Sequence, residues 1–451
     1  MDFSGDYWIL LDLVKSGRHD ERPPGERGLA LGTGQHGVME AALSLFWIAV
    51  VAVVSPLIAG LIPRRLVSEA VLLLAFGVVI GPHMLGIATL GEAVKAFREL
   101  GLGMLFLLAG YEIELKELRG RGGRRALVTW AGCFVLALAL VGLLGLTGVV
   151  KAEIAVAIAM VSTALGVLLP ILRDNGQLAT SFGATLLNHG AFGELGPVIA
   201  MAVLLGTRGA LKSVVVLALF AGVALAMTYA STRVHPGSRL HSLISGAQET
   251  TAQLTVRLVV LLLITLSLLA AAFQFDVVLG AFAAGFILRR IIPGGHSSLE
   301  HKLDGLAFGL LIPVFFVTSG MAIDPDAVAA NPVVLLAFVL AIILVRGGPI
   351  LLATMTQRRR DGSGREFSRR DSLRVALYGS TGLPIIVAVT SVAVSAGQMS
   401  EANSSLLVAG GAVTVLLLPM AATLLQRTEP DSEPDREADP EPDREPHPDT
   451  R

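Results

Sequence analysis

Residues 184–205 read ATLLNHGAFGELGPVIAMAVLL. As a helix this stretch crosses the ~30 Å of hydrocarbon in a bilayer. Its one charge, Glu194, falls in mid-span. A charged side chain at that depth costs about 2.5–3.5 kcal/mol on insertion scales, so it marks either a pathway for ions or a buried ion pair. Gly190, Gly193, Gly196 and Pro197 surround it, so neighbouring backbone can come close and one carbonyl is released from the helix. Asn188 and His189 add polar groups one to two turns earlier.

The rest of the chain has the same character. Hydrophobic residues make up 53% of the 451 residues, charged residues 16%, and mean hydropathy is +0.70. Soluble domains carry about 25% charge. The charges are clumped between long uncharged runs, as expected of an all-α polytopic membrane protein whose partner is the lipid bilayer. The runs show no period-2 alternation, which excludes a transmembrane β-barrel. Cys133 is the only cysteine, so there is no disulfide scaffold. A net charge of −1 without a basic domain argues against nucleic-acid binding.

About thirteen transmembrane helices are expected. The apolar segments are 44–62, 68–88, 100–115, 126–147, 152–172, 181–206, 210–230, 256–273, 277–291, 305–321, 331–354, 372–396 and 403–425. Alternate loops hold 21 Lys and Arg residues, against 5 in the opposite set. That bias places the first set, which includes Arg173, Arg289 and Arg358 to Arg374, in the cytoplasm. The N-terminus is then outside and the C-terminus inside. Residues 1–43 read as a polar tail without the apolar core of a signal peptide, and either Met1 or Met39 serves as the start. Residues 44–425 form the membrane domain. Residues 426–451, rich in Asp, Glu and Pro, are expected to be disordered, with no soluble regulatory domain after them. GTGQHG at 32–37 fits a nucleotide-binding glycine pattern, but no βαβ unit surrounds it. No cofactor motif is present.

Two other segments carry polar residues at mid-depth. MVSTALGVLLPIL (160–172) holds Ser162 and Thr163, and LYGSTGLPIIVAV (377–389) holds Ser380 and Thr381. They lie seven spans apart, and an odd offset implies opposite orientation. Inverted-topology repeats whose broken helices cross at the midplane are a transporter signature. Segment 331–354 contributes Arg346, the membrane interior's one clear base beside its one clear acid, Glu194. The two read either as a structural ion pair or as a cation and proton site.

These residues resemble the monovalent cation:proton antiporter family, in its second branch, which includes bacterial sodium and potassium exchangers. The resemblance covers residues ~44–425. It rests on FRELGLGMLFLLAGYEIELKELR (97–119), MVSTALGVLLPILRDNG (160–176), VVLGAFAAGFILRR (277–290) and LAFGLLIPVFFVTSGMAID (306–324) together. It implies a homodimer in the bacterial inner membrane, with a panel and a mobile core domain in elevator-like alternating access. The transported ions would be Na⁺ or K⁺ and H⁺. The family's core helix ends its motif in a carboxylate preceded by Asn, Asp or Gln. Here Asn188-His189 stands in that place, and Glu194 follows five residues later as the replacement carboxylate. Whether Glu194 or His189 is the main proton carrier stays open. Arg346, in VRGGP (345–349), matches the family's basic charge partner. Arginine rather than lysine there is similar to the electroneutral members. A sodium-coupled solute symporter is the closest rival reading. An intramembrane enzyme is the main alternative from another class, and it lacks a second catalytic group at the depth of Glu194.

Overall fold

The computed structural model of the chain describes residues 24–61, 67–113, 120–146, 152–174, 176–205, 210–232, 253–291, 297–358 and 364–426. The proline-rich acidic tail and the loops carrying Arg64, Lys116, Lys151, Arg208 and Arg233 lie outside these residues. Within them the chain is helical, and the only β-type pairing is an isolated bridge between Arg358 and Arg365. Helices satisfy their own backbone groups, which hydrocarbon demands.

The helices are α1 (Pro24–Leu61), α2 (Glu69–Ile80), α3 (Glu92–Glu112), α4 (Arg121–Leu146), α5 (Glu153–Met160), α6 (Leu165–Asp174), α7 (Ser181–Leu204), α8 (Ala210–Thr232) and α9 (Leu254–Ala272). Then come α10 (Val277–Ile291), α11 (Ser297–Leu306), α12 (Ile312–Met321), α13 (Pro325–Ala330), α14 (Pro332–Ile342), α15 (Gly348–Met355), α16 (Arg369–Gly379), α17 (Leu383–Ser395) and α18 (Glu401–Gln426). Each apolar segment named above contains helix among its described residues. Among the described residues, seven stretches are by themselves long and apolar enough to cross a membrane. Others are shorter or interrupted. Five-residue π turns join α11 to α12 (Ala307–Leu311) and α14 to α15 (Ile343–Gly347).

One difference from the sequence reading lies at the start. The backbone is helical from Pro24, well inside the stretch read as a polar tail, and GTGQHG lies within that helix. Extending a helix is far easier than starting one, so the apolar run from Val38 carries its helix backward.

Packing sorts the helices into two bundles. The first joins α1–α3 with α9–α12, and the second joins α4–α7 with α14–α18. In the first, α3 and α10 lie in near-contact. A methyl group on Gly110 would run into the Phe282 carbonyl, and one on Gly285 into the Leu107 carbonyl. Small residues supply such close approaches in membranes, where lipid is as apolar as leucine. Buried residues fill 22% of the span in α4 but 83% of Arg369–Ser395, so the broken α16–α17 pair sits at the centre and α4 faces lipid.

Candidate functional site

The second bundle is organised around two breaks. Helix stops at Met160 and resumes at Leu165, and it stops at Gly379 and resumes at Leu383. Pro384, in the first turn of α17, suits a helix start, since its missing N–H would be unsatisfied there anyway. The two breaks cross. The Ala164 amide donates to the Thr381 carbonyl at 2.6 Å, and the Ser162 hydroxyl lies 3.3 Å from the Gly382 carbonyl. The Thr163 hydroxyl donates to the Gly379 carbonyl. The sequence-predicted pair of broken helices is thus one structural unit. Ser380 and Thr381 turn their hydroxyls back onto the Ala376 and Tyr378 carbonyls, so they serve their own turn.

Helix α7 runs against this crossing. The Thr163 amide donates to the Gly193 carbonyl at 2.9 Å. A side chain at Gly193 would collide with Thr163 and the Arg346 guanidinium, so only glycine lets the crossing nest here.

Glu194 is 4% exposed. Its Oε1 accepts the Leu165 amide at 2.7 Å, the first N–H of half-helix α6. The partial positive charge of a helix start favours an anion there. Its Oε2 is buried without a hydrogen-bond partner among the described residues. One oxygen is therefore fixed and the other is available.

Arg346 is fully buried in the π turn between α14 and α15. π turns often mark functional positions. Its Nη2 donates to the His189 carbonyl at 2.8 Å and to the Thr163 hydroxyl at 3.0 Å. Its Nε faces the Gly379 carbonyl at 3.3 Å, at the negative end of half-helix α16. The Cys133 thiol lies 3.9 Å from Nη1 and 3.8 Å from the Arg346 carbonyl. Among the described residues no ion pair within 4.0 Å joins Arg346 to Glu194. Each charge instead answers a different half-helix end, and the segment 163–165 touches both, through the Thr163 hydroxyl and the Leu165 amide.

His189 is buried, and its Nδ1 finds no partner among the described residues. Its carbonyl, not its ring, meets Arg346. Asn188 donates to the Ala184 carbonyl at 2.9 Å, and its Oδ1 has no partner among the described residues.

A cavity of about 360 Å³ reaches this unit, lined by Leu165, Leu187, Asn188 and Ala191 together with Tyr111, Glu112, Arg173, Arg289, Glu300 and Asp304. Ala191 stands one turn from Glu194. Sequence reading misses that Glu112 lines this cavity. It also missed the Leu165 amide and the Gly379 and His189 carbonyls, because backbone groups leave no mark in side-chain chemistry. The cavity lining offers no cluster of three or more His, Cys, Asp or Glu suited to a resident metal among the described residues.

Residues 32–426 match the family described as sodium/hydrogen exchanger, transmembrane. The probable Na(+)/H(+) antiporter GerT of Bacillus cereus is 24% identical over 366 residues, covering 80% of this chain and 88% of its own length. The Na(+)/H(+)-K(+) antiporter GerN of Bacillus cereus is 25% identical over 392 residues, covering 83% of this chain and 89% of its own. The solved structure of the sodium proton antiporter of Methanocaldococcus jannaschii has the same fold, with a TM-score of 0.61 at 18% identity, over 85% of this chain and 99% of that one. The chain therefore belongs to the transmembrane sodium/hydrogen exchanger family, and it is a membrane cation:proton antiporter, not an enzyme.

Proposed function

We propose that this antiporter trades one monovalent cation, Na⁺ or K⁺, for one proton at Glu194. The observation that carries the reading is the divided carboxylate: Oε1 is held by the Leu165 amide, while the buried Oε2 has no hydrogen-bond partner among the described residues. An oxygen in that position takes either a proton or a cation, and each occupant expels the other. The nearby oxygens of the crossing supply dipoles at the depth where a bare cation needs ligands. Arg346 stays charged throughout, since arginine does not deprotonate in a protein. With one alternating carboxylate and one constant base, exchange is one for one and electroneutral.

Access alternates by movement of the second bundle, which carries the crossing, against the first. The cavity lies toward the ends that carry Arg173 and Arg289, and the distribution of Lys and Arg assigns that face to the cytoplasm. Thirteen crossings, an outside N-terminus, a cytoplasmic C-terminus, a bacterial inner-membrane location and a homodimer complete the proposal. The test uses vesicles containing the full chain with a preset pH gradient. Addition of Na⁺ or K⁺ alone is expected to dissipate the gradient without generating a membrane potential. A requirement for an organic solute would favour symport instead.

A further inference from the structure

The cavity below Glu194 is walled by both bundles, and its charges are divided unevenly between them. On the first-bundle wall Glu300 is already satisfied. It accepts the Tyr111 hydroxyl at 2.9 Å and lies 4.0 Å from Arg289, whose guanidinium stands 5.3 Å from the centre of the Tyr111 ring. Two other carboxylates on that wall, Glu112 at the end of α3 and Asp304 on α11, are exposed and line the cavity. Neither has an ion pair within 4.0 Å among the described residues. The second-bundle wall supplies one base, Arg173, in the last turn of α6. It too is exposed and without an ion pair among the described residues. It lines the same cavity as Glu112 and Asp304, close enough for its charge to act on both.

Two acids on one body therefore face one base on the other. The base is carried by the same ten-residue half-helix whose first amide holds Glu194. A single helix of that length, about 15 Å, moves as a rod. Any displacement of Glu194 against the first bundle displaces Arg173 with it. Arginine's planar fork suits simultaneous engagement of two carboxylates.

Resting on the alternating-access reading above, we propose that Arg173 is a gating counter-ion: it closes onto Glu112 and Asp304 to seal this face, and an arriving cation displaces it from them. Glu112 and Asp304 are then the first carboxylates a cation meets on its way to Glu194, and Arg173 is its tethered competitor. Such a gate has to reopen on every cycle. Exposed ion pairs shift an equilibrium by only about 1.5- to 5-fold, which suits that requirement.

The test measures cation-dependent exchange by the full chain, from each side of vesicles of known orientation. Arg173→Gln is expected to lower KM for the cation by about two- to five-fold on the cavity side only, because the competitor is gone, and to lower the maximal rate, because the sealed state is weakened. Arg173→Lys should return KM close to the wild-type value. Arg173→Glu should impair exchange, and combining it with Asp304→Arg should restore it in part, which a purely structural role for Arg173 would not give. Wild-type KM and rate in Arg173→Gln, or a reversed pair no better than Arg173→Glu alone, overturns the gate. Persistence of exchange in Glu194→Gln would instead overturn the carrier assignment, and the Arg173 series would still report on the gate by the same comparison.

Discussion

Arg346 and Arg374 are both buried in the second bundle, at 0% and 5% exposure, and their charges are spent in opposite ways. Arg374 donates to the Asp371 carboxylate at 3.0 Å and to the Gln177 side chain at 3.1 Å, and its guanidinium lies 4.6 Å from the centre of the Phe182 ring. It ties α16 to α7 with an acid of its own. Arg346 has no carboxylate within 4.0 Å among the described residues. Carbonyls, a hydroxyl and a thiol hold it, and the acid at its depth, Glu194, is held separately by a backbone amide. A buried base that consumes an acid makes a structural tie. A buried base held by neutral groups balances the local charge and leaves the acid free for cargo.

Substitutions sharpen this contrast. The largest effect belongs to Glu194, where glutamine should abolish cation-dependent proton flux. Next comes Gly193→Val, which places a branched side chain where Thr163 and Arg346 now lie. Overpacking of a tight core costs about 1–3 kcal/mol, and here it also drives the crossing away from α7. Exchange should be lost and Tm lowered, as thermal unfolding of the purified protein would reveal. Normal exchange in this variant would mean that the nested crossing is dispensable.

Arg346→Ala removes the guanidinium's hydrogen bonds to the Thr163 hydroxyl and to the His189 and Gly379 carbonyls, each worth about 1.5–3 kcal/mol for a charged donor. Both Tm and exchange per inserted protein should fall. Arg374→Gln should lower Tm while leaving exchange per inserted protein intact, since its partners are remote from Glu194. Equal losses of transport in the two variants would break the distinction between tie and charge balance. The smallest effect is expected from removing residues 428–451, whose acidic, proline-rich text offers no apolar surface to bury. Wild-type exchange rates in that truncation are the expected result.

Much of this was legible before any coordinates. Glu194 and Arg346 stand out because charge in hydrocarbon is costly, and the Ser-Thr pairs at 162–163 and 380–381 mark the depth at which both helices break. The sequence reading failed where a neighbour's backbone decides the outcome. Arg374 looked like one of many loop arginines, because nothing local says that Phe182 and Gln177 will cover it. The separate anchoring of Glu194 and Arg346 is not legible either, because side chains are visible in a sequence and the Leu165 amide is not. The opposition of Arg173 to Glu112 and Asp304 requires residues from three distant helices to meet at one cavity, and no spacing rule reports that.

The proposed competition of cation and proton at Glu194 is tested by comparing Glu194→Gln with His189→Ala in the same vesicles, with insertion of each verified and proton flux read on addition of Na⁺ or K⁺. The glutamine keeps the shape of the protonated acid and cannot ionise, so flux should vanish, while His189→Ala should retain it. Flux that survives in Glu194→Gln and disappears in His189→Ala would contradict the claim and place the exchange site at Asn188-His189.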